Sequence, residues 1–139
     1  MEFKNQPIIK IGDKNLNHRI YTSEQVNKIV DSFNKKISKH HGVIGQFNHP
    51  DRFTTNLKDS THEVTSLKIK NNVLYGDVRV LETELATKMK ISEMIQDGIL
   101  VLAPRCSGTI NEDCTVSIEE FFAFDLIRKE ESSFKKILF

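Results

Sequence analysis

The stretch Thr61-His62-Glu63-Val64-Thr65-Ser66-Leu67-Lys68-Ile69-Lys70-Asn71-Asn72-Val73-Leu74-Tyr75-Gly76-Asp77-Val78-Arg79-Val80 decides the fold class. Leu67 and Ile69 alternate with lysines, the pattern of a strand with one face on a core and the other in water. Asn71-Asn72 supplies a two-residue turn that tolerates positive φ, and Val73 to Val80 returns as the partner strand. A hairpin this local makes an antiparallel sheet the organising element.

On the N-terminal side, residues 7–11 (Pro-Ile-Ile-Lys-Ile) read as a short strand ending at Gly12-Asp13. Thr22 begins a helix with Gln25 in the capping-box position. Val26, Ile29, Val30, Phe33 and Ile37 form its apolar stripe, and the pattern stops near His40-His41-Gly42 with Gly42 as the C-terminal stop. Val43 to Phe47 is a strand halted by His49-Pro50-Asp51, and residues 51–61 form a polar loop.

Past the hairpin, Thr83 caps a second helix reaching roughly to Asp97, with Leu85, Met89, Met94 and Ile95 inward and Gly98 just beyond. Ile99 to Leu102 is an apolar strand leading into a small-residue, arginine-bearing loop. Two strands follow, Thr115 to Ile118 and Phe121 to Ile127. The expected fold is α+β, a mostly antiparallel sheet or small barrel flanked by two main helices. Residues 1–127 form one domain and residues 128–139 a charged tail.

Composition narrows the function classes. The chain has 139 residues, enough for one core, and its net charge of +1 offers no electrostatic grip on nucleic acid or an anionic membrane. Its apolar runs are too short for a membrane span, and the Met-Glu-Phe-Lys-Asn-Gln start lacks a signal-peptide pattern. Cys106 and Cys114 flank a turn without a histidine pair, which is no zinc set. No metal and no cofactor are expected.

Two segments carry chemistry. His62 sits in a strand-like segment, and Leu100-Val-Leu-Ala-Pro-Arg-Cys-Ser-Gly108 lies downstream, so a base and an oxyanion donor (Arg105) could meet. The commoner fates are a structural histidine and a surface salt bridge. Asp125 lies in the apolar run Phe121-Phe-Ala-Phe-Asp-Leu-Ile127, where burial demands a histidine, an arginine or backbone donors; that makes it a candidate orienting group. His49-Pro50-Asp51 is a weak metal signal and reads better as a turn, while His40-His41 suits a helix C-terminus. Cys106 and Ser107 are nucleophile-type side chains that equally suit a small buried residue and a turn.

The ordered words resemble the prohead core protease (head maturation protease) family of tailed bacteriophages, whose fold is like herpesvirus assemblin. The resemblance runs from about residue 15 to residue 127. It rests on Asn17-His18-Arg19-Ile20-Tyr21, Gly45-Gln46-Phe47-Asn48-His49-Pro50-Asp51 and Thr61-His62-Glu63-Val64. It continues through the hairpin from Val73 to Thr83, the helix end Met94-Ile95-Gln96-Asp97-Gly98, Leu102-Ala103-Pro104-Arg105-Cys106 and Phe124-Asp125-Leu126-Ile127.

The resemblance implies a serine endopeptidase that cuts scaffold and capsid proteins, and often itself, in the prohead interior within the host cytoplasm. Self-association is left open. Carried over by position, His62 is the general base, Arg105 the oxyanion-loop residue and residue 103 the nucleophile. The third group falls to Asp125 or His49. The departure is Ala103, which has no atom able to attack a carbonyl. Three explanations compete: a serine-to-alanine inactive form, a natural protease-fold assembly module, or takeover by Cys106 or Ser107. The intact remainder of the motif set favours the first. Takeover is least favoured, because a shift of three or four residues exceeds near-attack tolerance.

Overall fold

The computed structural model describes residues 1–15, 17–37, 42–48 and 55–129. Along the chain run β1 (Glu2–Lys10), α1 (Ser23–Ile37), β2 (Val43–Gly45), a 3-10 turn (Leu57–Asp59), β3 (His62–Lys70) and β4 (Val73–Val80). Then follow α2 (Glu84–Lys88), α3 (Ile91–Gln96), β5 (Leu100–Ile110) and β6 (Val116–Arg128). The class is α+β with antiparallel sheets, as the hairpin implied.

Asn71 and Asn72 both take positive φ, 52° and 61°, so the β3–β4 turn has the twist that matches a right-handed ladder. One sheet has the order β1-β4-β3-β2, and β5-β6 form a second. The two are fastened by a parallel bridge between Phe47, just past β2, and Leu126 of β6. β5 also runs close to β1.

β1 is longer than the apolar stretch 7–11 suggested. Its polar half pairs with β4 from Glu2 opposite Arg79, and bulges let it follow the sheet while only Ile8 and Ile9 are buried. Thr22 caps α1 as expected, its hydroxyl accepting from Gln25 N. Gln25, however, turns its side-chain oxygen to Ile118 N (2.7 Å), so α1 is tied to β6 and the capping box stays open on that side. Gly42 is not a left-handed stop: it is absent from the positive-φ residues, and a Cβ there would lie 2.8 Å from the Glu63 carboxylate. His40 and His41 lie outside the described residues.

The single helix expected over 83–97 is two. Thr83 caps α2 by accepting from Ala86 N, and Lys90, at φ 54° and ψ 45°, breaks the path before α3. Ala86 and Ile91 are both buried, yet five positions apart on one helix they would face well away from each other. The break lets both reach the core. The core itself joins α1 to β6, with the Phe124 ring 6.2 Å from Phe33 and 4.7 Å from Phe121. Each such buried ring contributes roughly 1.5–3 kcal/mol.

The strand expected at 99–102 continues to Ile110, and this corrects the arginine-bearing loop: Ala103, Pro104 and Arg105 lie inside β5. Proline fits because Pro104 pairs with Phe124, whose carbonyl points away from β5. At such a non-hydrogen-bonded pair no rung of the ladder needs the N–H that proline lacks.

Candidate active site

The site forms where a ladder is interrupted. Around the Phe47–Leu126 bridge, Asn48 N donates to Leu126 O (2.8 Å) and Leu126 N donates to Gln46 O (3.0 Å). One further rung would send Gln46 N–H to the Phe124 carbonyl. Instead Gln46 N donates to Asp125 Oδ1 (3.0 Å), and the Phe124 oxygen accepts from His62 Nε2 (2.7 Å). Two side chains replace one backbone bond, so the Gln46 N–H and the Phe124 carbonyl are both satisfied away from water.

Gly45 leaves the room. A Cβ at this position would press into the Phe124 carbonyl oxygen and lie 2.6 Å from His62 Nε2. Because backbone cannot retreat as a side-chain tip can, Gly45→Ala is expected to cost about 2–3 kcal/mol by overpacking. It should also push the imidazole off β6. Urea denaturation measures the first effect and the His62 ring resonances report the second; an unchanged midpoint and spectrum would refute this view of Gly45.

Arg105 and Asp125 form a buried fork: Nε donates to Oδ2 and Nη2 to Oδ1, both at 2.9 Å. Nη2 also donates to Thr55 Oγ1 (2.6 Å). Asp125 is fully buried and Arg105 only 6% exposed. Among the partners open to Asp125, the structure pairs it with an arginine and a backbone N–H. Ala103 stands directly opposite Asp125 in the β5–β6 register, so its methyl shares the face that carries the fork, and it is half-buried.

His62 is fully buried, and its second ring nitrogen, Nδ1, lies 2.8 Å from Thr61 Oγ1. Burial lowers its pKa to about 4; the Phe124 carbonyl bond and the Asp125 charge oppose that shift, and the Arg105 charge adds to it. The imidazole is therefore neutral at pH 7. Because the unfolded state takes up a proton near 6.5 and the folded state only near 4, folding stability falls as pH drops between those values. The full loss is about 3 kcal/mol. In His62→Gln that part of the pH dependence should vanish. Equal slopes for both proteins in denaturant titrations from pH 7 to 4 would contradict it.

His62, Arg105, Asp125 and the strand bearing Ala103 thus come together. Cys106 and Ser107 do not sit at the Ala103–Asp125 rung: they pair with Phe121 and Glu120, past a bulge after Arg105. Burial pushes the Cys106 thiol up to about 12, which keeps it protonated and unreactive. His49-Pro50-Asp51 and residues 130–139 of the tail lie outside the described residues. Among the described residues, no group of three or more His, Cys, Asp or Glu could hold a metal, and no helix is long and apolar enough to cross a membrane. Thr61, Gly45 and the Phe124 carbonyl were not singled out as site residues. The one signal for Thr61 was its place immediately before His62.

The sequence profile of prohead core protein serine proteases matches residues 8–128. Among solved structures, that of the bacteriophage T4 capsid assembly protease is similar, with a TM-score of 0.68 and 21% identity over 92% of this chain and 90% of that chain. At that identity the likeness bears on the fold. No curated protein matches the sequence.

Proposed function

The chain belongs to the prohead core protein serine protease family, and from that premise we propose that its catalytic form is a serine endopeptidase of phage head maturation. It acts on scaffold and capsid proteins in the prohead interior, with serine in place of Ala103. The observation that carries this reading is the convergence at the interrupted ladder. The imidazole of His62 bonds the Phe124 carbonyl, the arginine–carboxylate fork sits on the next residue of β6, and residue 103 stands opposite that carboxylate on β5.

The roles follow from the chemistry. His62 is neutral at working pH, so it can take a proton from a hydroxyl at 103 and return it to the leaving amine. Arg105 keeps a cation two positions along the same strand face, where an oxyanion would develop. Asp125 holds that guanidinium in place and sets a negative charge near the imidazole, favouring the imidazolium that forms during proton transfer. With alanine at 103 the chain lacks the attacking oxygen, and covalent catalysis stops at binding.

A second reading is a natural protease-fold module that joins head proteins without cutting them. Ala103 itself favours it. Codon 103 in the source genome and the activity of Ala103→Ser toward phage scaffold protein separate the two. Serine in the native gene together with cleavage supports the protease; a native alanine with no cleavage by the serine variant supports the module.

A further inference from the structure

Both ring nitrogens of His62 are committed, and the two partners differ in kind. Phe124 contributes a carbonyl, which can only accept, so Nε2 must carry the proton of the neutral ring. Nδ1 is then a bare lone pair, and the Thr61 hydroxyl donates to it across 2.8 Å. A base in this tautomer is idle toward residue 103, because the nitrogen facing β6 already holds a proton. To act, the ring must place its proton on Nδ1, free Nε2 and leave the Phe124 carbonyl.

That change needs an Nδ1 partner able to reverse its role. A carboxylate only accepts, and it would hold the proton on Nδ1 permanently. A hydroxyl donates or accepts after one rotation about its C–O bond. Thr61 is fixed for this purpose by its backbone: its N donates to Gly45 O (3.0 Å), and its carbonyl accepts from Leu81 N (3.0 Å). Its side chain is wholly buried, so water does not compete for Nδ1. The charged groups acting on the ring are Asp125 from β6 and Arg105 from β5.

We propose that Thr61 is the positioning residue of His62, serving both tautomers, and that the Phe124 carbonyl is a latch holding the imidazole in the idle one. The proposal rests on the protease reading for its catalytic consequence, but the latch is a property of the chain as it stands. In the working state Thr61 Oγ1 accepts from Nδ1–H and orients Nε2 toward the nucleophile. In the resting state it donates, and the base is withheld.

The test has two arms. In the unaltered chain, ring-nitrogen NMR of His62 at pH 7 should show Nε2 protonated and Nδ1 bare; a proton on Nδ1 overturns the latch. In the Ala103→Ser background, Thr61→Val removes the reversible partner and is expected to lower kcat on the order of 10²-fold, the scale of a misoriented catalytic group, with KM unchanged. Thr61→Ser should retain activity. Parental kcat in Thr61→Val, or a loss that Thr61→Ser shares equally, overturns the positioning role. If Ala103→Ser cleaves nothing, the protease reading fails, and the tautomer of the unaltered chain alone decides the latch.

Discussion

Ala103→Ser is expected to turn the chain into an active endopeptidase, with a rate gain of about 10⁶, the scale lost when a serine protease forfeits its nucleophile or its base. The added oxygen needs little space, since residue 103 is half-buried on the face of β5 that also bears Arg105. His62→Ala in the same background should return activity to that of the parent, because the two groups act as one unit and their losses do not add. Because the imidazole of the free protein titrates near 4, the acid limb of kcat/KM should lie well below the ordinary histidine range. Cleavage of phage scaffold or capsid protein, followed by mass spectrometry of the products, reads all three. Activity that survives His62→Ala would remove the base from the mechanism.

The second large effect concerns the fork. Asp125→Ala leaves the Arg105 guanidinium buried without its carboxylate and strips Gln46 N–H of its acceptor. The expected cost is about 3–5 kcal/mol, the scale of removing one partner of a buried ion pair. Replacing both partners with apolar side chains, as in Arg105→Met with Asp125→Leu, should cost clearly less than Asp125→Ala alone. A fork buried this deeply fixes geometry more than it adds stability. Urea unfolding of the two variants measures the difference. A loss under about 1 kcal/mol in Asp125→Ala would mean that the pair is solvated and has little hold on residue 103.

How much of this was legible in the sequence depends on how local each cause is. The β3–β4 hairpin was readable because Asn71-Asn72 encodes its own turn, and α1 because its apolar stripe and the Thr22 cap are intrinsic to the segment. The polar half of β1 was not, since Glu2 to Gln6 becomes a strand only by pairing with β4. The continuation of β5 through Pro104 and Arg105 was hidden for a similar reason. Proline, arginine, serine and glycine in sequence read as a loop, and the long β6 partner overrides that preference. The break at Lys90 answers to burial of Ala86 and Ile91, a tertiary demand.

Within the site, an arginine was among the partners foreseen for Asp125, because a carboxylate amid Phe121, Phe122, Phe124 and Leu126 must be compensated. Thr61 was invisible as a partner: successive residues of a strand point to opposite faces, and only its place just ahead of β3 lets its hydroxyl reach the neighbouring ring. The Gly45 and Phe124 contributions are backbone and space, which side-chain identities do not announce.

The most direct measurement of the central claim is covalent trapping of Ala103→Ser with diisopropyl fluorophosphate, located by peptide mass spectrometry. A single adduct on residue 103, lost when His62 is also replaced by alanine, is the result predicted. A folded variant that takes up no label at 103, or takes it up equally without His62, contradicts the pairing of that imidazole with a nucleophile on β5.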